Sequence, residues 1–277
     1  MIQTKIMDKE APASKLKLAL VGKEKHGKSR LAATARKPVL VHDFDNRAEA
    51  LAGIPGVYVI SYIDPQWPKQ PETAQEFLTN LTKLEDGLDL ASLGFQVEKG
   101  TKVQTNVVDS VTTLGKAFQR YALFGSKDLR REITVGSMKA HLPASWDAWN
   151  AEMTFVENSI LRLLALPSDT IIILHETDEE TPDSTAEKPK FTGRAAVFPV
   201  RYRMLLKYFN EVWRVKLTQS FVNGQARYVP KVYPLPTYDF DSATALLLDP
   251  VEEPDISGML AKAAYRAGQQ DAKKLSK

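Results

Sequence analysis

Strand-length apolar runs alternate with helix-length amphipathic segments along most of this chain, and that alternation predicts an α/β fold. "LKLALVG" (16–22) reads as a buried strand and "GKSRLAATAR" (27–36) as the helix after it. "PVLVHDFD" (38–45) is a second strand, followed by a short helix over "NRAEAL", and "GVYVISY" (56–62) is a third. "TAQEFLTNLTKL" (73–84) has helical periodicity, with Thr73 and Glu76 offering a capping box. "QTNVVDS" (104–110) is another strand, and "VTTLGKAFQRYALF" a helix leading away from it. A polar stretch, 125–145, precedes a long helix around 146–166. "TIIILHE" (170–176) is the most strand-like segment, and the polar, Pro-containing "TDEETPDSTAEKPKFTG" (177–193) reads as a loop. "PVRYRMLLKYF" reads as a helix, then "EVWRVKLTQSF" and "ARYVPKVY" as a strand pair about the turn "VNGQ". The pattern predicts a mostly parallel central sheet flanked by helices, plus a C-terminal antiparallel strand pair. No linker divides it, so one domain over 16–249 is expected, with an extension at 1–15 and a polar tail at 250–277 that is frayed or serves assembly.

The chemistry begins where the first strand turns into the first helix. Gly22, Gly27, Lys28 and Ser29 fit the pattern G-x-x-x-x-G-K-[ST], in the strand-then-helix context that gives it meaning. Glycines let the backbone wrap an anion, its N–H groups point inward, and the helix N-terminus adds partial positive charge. Lys28 would reach the β- and γ-phosphates of a nucleoside triphosphate, and Ser29 would place its hydroxyl on Mg²⁺. The whole loop, Lys23, Glu24, Lys25, His26 and the following Arg30 included, is the candidate nucleotide cradle. Such a loop needs a carboxylate at the end of a neighbouring apolar strand to hold the metal through water, and Asp109 ends "TNVVD". Hydrolysis also needs a group that orients or deprotonates water. Asp43 and Asp45 stand two apart at the tip of the second strand and would point the same way if the strand continued that far; His42, just before them, would point oppositely and pack. His175 and Glu176 end "TIIILHE", at the sheet edge where α/β ligands gather.

Composition narrows the picture little. Over 277 residues, 43% hydrophobic and 26% charged positions make an ordinary soluble balance that can bury a core unaided. There is no cysteine, so disulfides and thiolate metal sites are excluded, and the four histidines are scattered, which disfavours structural zinc. No apolar run reaches the roughly 20 residues of a membrane span, and the N-terminus lacks a signal region, so no membrane association and a cytoplasmic location are expected. A net charge of +3 is too weak for a protein that coats DNA over its whole surface, so any nucleic-acid contact must be local.

"GKEKHGKS", "VLVHDFD", "NVVDS" and "IIILHE" stand in one order. That order resembles the RecA-like ATPase core, and more narrowly the phage-encoded RecA-like ATPases among the single-strand annealing proteins, over about residues 16 to 235. The resemblance implies ATP with Mg²⁺, Lys28 and Ser29 on phosphate and metal, and Asp109 in the Walker B role. It puts Asp45 in the place of the family's glutamate base, one methylene shorter. His175 falls where the family has a polar residue coupling the γ-phosphate to a DNA loop. Arg214 and Lys216 in "WRVKL" take the place of basic residues that reach a neighbouring subunit's nucleotide, although an exposed strand face alternating with Val215 and Leu217 reads the sequence equally well. It also implies a homo-oligomer on single-stranded DNA acting in recombination, annealing or repair in the host cytoplasm, with a single-strand-binding protein as a further partner.

Two stretches fit the DNA loops of that family. The first, 125–145, holds Lys127, Arg130, Arg131 and Lys139, with Trp146 and Trp149 close behind as stacking or packing residues. The second, 177–193, is poorly suited at its start, where Asp178, Glu179, Glu180, Asp183 and Glu187 repel phosphate; only Lys188, Lys190 and Arg194 near its end are basic. That acidity also suits an ATP-dependent loader or assembly factor docking on another protein in replication.

Overall fold

The computed structural model describes residues 15–63, 71–135, 138–180, 191–222 and 225–275. Ten strands and five α-helices follow one another along them: β1 (Lys17–Gly22), α1 (Lys28–Ala32), β2 (Val39–Asp43), β3 (Val57–Ser61), α2 (Glu72–Gly87), β4 (Thr105–Asp109), α3 (Val111–Gly125), β5 (Arg130–Val135), β6 (Met138–Pro143), α4 (Trp146–Ala165), β7 (Asp169–Glu180), β8 (Phe191–Phe198), β9 (Glu211–Val222), β10 (Gln225–Tyr233) and α5 (Ile256–Leu275). The main sheet runs β10-β9-β1-β7-β4-β2-β3, and β8 pairs with β7 off this path. From β9 to β3 every pairing is parallel, while β10 and β8 are antiparallel additions. The expected fold class is therefore what the chain adopts.

Burial on both faces explains why the central strands read as continuous apolar runs. Ala19 and Val21 of β1 and Ile172 and Leu174 of β7 face a core shared with α2, α3 and α4 through Phe77, Leu81, Leu114, Phe118, Val156 and Ile160. Leu18, Leu20, Ile171 and Ile173 face the opposite core, with Leu31 of α1, Trp213 and Val215 of β9, and Ile256, Met259 and Ala263 of α5. The 250–277 segment is thus no free tail in its first half. Its apolar positions pack, Lys262 pairs with Asp249 and Glu252, and the Ile256 N–H donates to Thr34 Oγ1 at 2.8 Å.

Five sequence expectations differ from the fold, the first being the capping box: α2 begins at Glu72 with Pro71 at its N-cap and no side-chain cap, and Thr73 lies buried inside the helix. The helix over 27–36 is only Lys28–Ala32, because the residue before Pro38 disfavours helix and Arg36 turns away to grip Asp169. The polar 125–145 stretch holds the β5–β6 hairpin. The 177–193 segment is strand at both ends: β7 continues to Glu180 and β8 begins at Phe191, paired in one register from His175 opposite Phe198 to Asp178 opposite Ala195, then shifted at a bulge so that Glu180 lies opposite Phe191. The polar composition of both stretches reads as loop. "PVRYRMLLKYF" forms a 3₁₀ helix, Val200–Tyr208.

Candidate nucleotide-binding site

Parallel register places the C-terminal ends of β1, β7, β4 and β2 along one edge: Gly22 lies opposite His175, and Asp109 opposite Asp43. β7 inserts between β1 and β4, so His175 stands between the phosphate loop and the Asp109 strand.

The loop is clamped against β9. A Cβ at Gly22 would lie 2.4 Å from the Val215 carbonyl oxygen, so only glycine fits there. The same carbonyl accepts a 3.2 Å hydrogen bond from His26 Nδ1, which fixes the tautomer with the proton on that nitrogen. Gly27 opens α1 with φ +86°, a left-handed conformation natural to glycine, and Lys25 also has positive φ at 62°. Lys28 is buried and donates to the carbonyls of Gly22 (2.6 Å) and Lys23 (2.7 Å). Burial pulls its pKa down to about 8, against the opposing attraction of Asp109, Glu176, Asp45 and Glu24. On the rim, Lys23 pairs with Asp178 at 3.5 Å and Glu24 with Arg47 at 3.6 Å, while Arg30 is exposed on α1.

Ser29 Oγ donates to Asp109 Oδ2 at 2.5 Å. Burial raises the Asp109 pKa to about 6; Asp45 and Asp43 add to the rise, and the Ser29 hydrogen bond and Lys28 oppose it. A buried carboxylate held by a hydroxyl, short of positive charge, offers the hard oxygen donors Mg²⁺ prefers. Among the described residues no group of three or more His, Cys, Asp or Glu side chains could hold a metal, so an ion at Ser29 and Asp109 would depend on nucleotide phosphates for its remaining ligands. When bound, it would neutralise charge developing on those phosphates.

The two candidate bases separate. Strand β2 stops at Asp43, whose carboxylate accepts the backbone N–H groups of Asp45 (3.1 Å) and Arg47 (2.9 Å) and so shapes the turn that follows. That turn delivers Asp45 into the site. Its Oδ1 accepts from Ser110 Oγ (3.0 Å) and Thr113 Oγ1 (2.5 Å), and its Oδ2 lies 3.5 Å from His175 Nε2. Ser110 and Thr113 were not singled out in the sequence, yet "DSVTT" does place hydroxyls on the first turn of the helix after Asp109. His42 is buried, shares a 3.0 Å hydrogen bond with the Tyr62 hydroxyl, and is kept neutral by burial, which lowers its pKa to about 4.

These groups border a cavity of about 460 Å³ whose walls include Glu24, Asp45, Thr113, Lys116, His175 and Glu176. Residues 14–229 match the AAA domain family. The chain belongs to that family. The match spans the loop, Asp45, Asp109 and His175 together, and so supports nucleotide binding and P-loop ATPase activity for this AAA domain. No curated protein matches the chain.

The remaining candidates of the AAA domain fall in other places. The Arg214 side chain is only 5% exposed, and it is tied within its own chain, bidentate to Glu176 (2.8 and 2.7 Å) and to Asp239 (2.7 Å). In this chain it is therefore buried and paired rather than on an exposed strand face. Lys216 also pairs with Asp239, at 3.1 Å, but is partly exposed. Arg214→Ala would strip the buried Glu176 carboxylate of its ion pair and leave Asp239 only Lys216 and Thr237, so a stability loss of about 3–5 kcal/mol is expected by urea unfolding, against less than about 1 kcal/mol for Lys216→Ala. A contact to a neighbour's nucleotide would instead lower turnover and leave unfolding unchanged.

Of the residues expected at nucleic acid, Lys127 and Arg131 are exposed beside and on β5. Arg130 turns inward toward the Leu123 and Phe124 carbonyls at the end of α3. Lys139 lies on β6 opposite Thr134, and Arg194 on β8. Lys188 and Lys190 lie outside the described residues. Trp146 is 80% exposed at the start of α4, whereas Trp149 is covered by the Arg201 guanidinium, 4.8 Å from its ring centre. No described helix is long and apolar enough to cross a membrane.

Proposed function

We propose that this AAA domain is a Mg²⁺-dependent, RecA-like ATPase that oligomerises on single-stranded DNA and promotes annealing or strand exchange, as in the phage-encoded proteins its motif order resembles. The observation that carries the ATPase half is the convergence of Lys28, the Ser29–Asp109 pair and the Asp45–His175 pair at one sheet edge. Those are the parts phosphoryl transfer requires: a phosphate cradle, a metal seat and a group to orient water. The DNA half draws on the exposed Lys127 and Arg131 with the exposed Trp146, a pairing of cations for phosphates with a ring for base stacking. A homo-oligomer, a single-strand-binding protein as further partner and a location in the host cytoplasm belong to the same reading.

The other reading is an ATP-dependent loader or assembly factor acting on a protein in replication. It draws on the acidic 177–187 segment, whose Asp178 already reaches the phosphate loop through Lys23.

ATP hydrolysis measured with and without single-stranded DNA, across salt concentrations, separates the two. Stimulation that falls steeply between about 50 and 200 mM salt is expected, since each phosphate contact releases counterions. DNA that changes neither the hydrolysis rate nor the oligomeric state would sink the DNA reading and favour the protein partner.

A further inference from the structure

We propose that Lys116 supplies, from within the same chain, the cation that contacts the terminal phosphate of the bound nucleotide. The inference rests on the nucleotide reading of the site and deepens it. It starts from a charge balance. The cavity beside the phosphate loop carries three carboxylates and, apart from His175, two cations on its walls. Asp45 contacts His175 at 3.5 Å, Glu24 pairs with Arg47 at 3.6 Å, and Glu176 pairs with Arg214 at 2.7 Å. Lys116 is exposed and makes no hydrogen bond or ion pair among the described residues.

Its position is fixed by the helix that carries it. Thr113 of α3 donates to Asp45, and Lys116 lies three residues on, one turn along the same helical face. Lys28 approaches the phosphates from the loop side, where it rests on the Gly22 and Lys23 carbonyls. Lys116 borders the cavity from the α3 side, together with the candidate water-orienting pair. Arg214, which the sequence offered for this charge-neutralising task from a neighbouring subunit, is spent on Glu176 and Asp239. An anion entering the cavity therefore finds one uncommitted cation on its described walls. The terminal phosphate, present in ATP and absent from ADP, is the group that would meet it.

The test compares Lys116→Ala, Lys116→Gln and Lys116→Arg in the full chain. Affinities for ADP and for a non-hydrolysable ATP analogue are read by competition with a fluorescent nucleotide, and turnover by phosphate release. For Ala and Gln the ADP affinity should stay within about twofold of wild type while the analogue binds about 10- to 100-fold more weakly, the scale of one hydrogen bond to a charged group. Turnover should fall with it, and Arg should restore most of both. Equal changes for the two nucleotides, or none, overturn the proposal. Mixing Lys116→Ala with Lys28→Ala chains should restore no turnover, because the contact is made within one chain; restored turnover would overturn that assignment. A wild-type chain that binds neither nucleotide would sink the nucleotide reading itself, whereas normal wild-type binding with an unaffected Lys116→Ala sinks this inference alone.

Discussion

Replacing Lys28 by alanine should weaken the binding of both ATP and ADP by about 10²- to 10⁴-fold. The free protein holds the ammonium on two loop carbonyls, at 2.6 and 2.7 Å, poised to exchange them for phosphate oxygens. Two hydrogen bonds to a charged group are worth about 1.5–3 kcal/mol each, and each 1.4 kcal/mol is about tenfold in affinity. A second, independent readout comes from pH. Burial lowers the Lys28 pKa from 10.5 to about 8, so between those values the unfolded chain holds one more proton than the folded one. Stability of the nucleotide-free protein therefore contains a term that rises with pH across this window. Nucleotide affinity should move the opposite way, since the lysine that meets phosphate loses its charge as pH passes about 8. Lys28→Ala removes both slopes. Urea unfolding and nucleotide titration between pH 7 and 10 check the pair, and an unchanged affinity in the variant would remove the nucleotide from this loop.

The loop, the place of Asp109 beside it and the sheet were legible in the sequence because each rests on local order: a buried strand, a glycine turn, a helix start. Asp109 could be read because a carboxylate ending an apolar strand has few other places to sit. What was hidden depends on contacts between distant segments. Gly22 is required by Val215, 193 positions on, and His26 is explained only by the same carbonyl. Arg214 reads as an exposed strand cation until β7 brings Glu176, and the segment before α5 brings Asp239, to either side of it. The β7–β8 arm and the β5–β6 hairpin were missed for another reason. Their sequences are polar over 125–145 and 177–193, and apolar periodicity is the signal that sequence reading follows. The C-terminal helix reads as a tail because its composition is polar, although Lys262 and Arg266 both pair with Asp249 and Ile256, Met259 and Ala263 are buried.

Asp45→Asn should cut turnover by about 10²- to 10⁴-fold, the usual contribution of a positioned acid–base group, while leaving ADP affinity near wild type. The amide oxygen can still accept from Ser110 and Thr113, so the turn after β2 keeps its shape and the variant isolates the charge. Burial alone would raise the Asp45 pKa, but His175, Thr113 and Ser110 outweigh it and bring the value down to about 2. A carboxylate that acidic is ionised throughout the neutral range and takes a proton poorly. Its effect on turnover should come from aligning the attacking water, and a loose phosphoryl-transfer transition state asks for little more. The wild-type rate should therefore show no acid limb from Asp45 between about pH 5 and 8, since titration of this group lies well below that window. The shorter side chain is no handicap in this role. The turn set by Asp43 carries Asp45 past the end of β2, and α3 meets it there with two hydroxyls. Turnover of Asp45→Asn within about threefold of wild type, by phosphate release at saturating ATP, would shift the water-orienting task away from Asp45. His175, 3.5 Å away on the strand between the phosphate loop and Asp109, would then be the group to replace next.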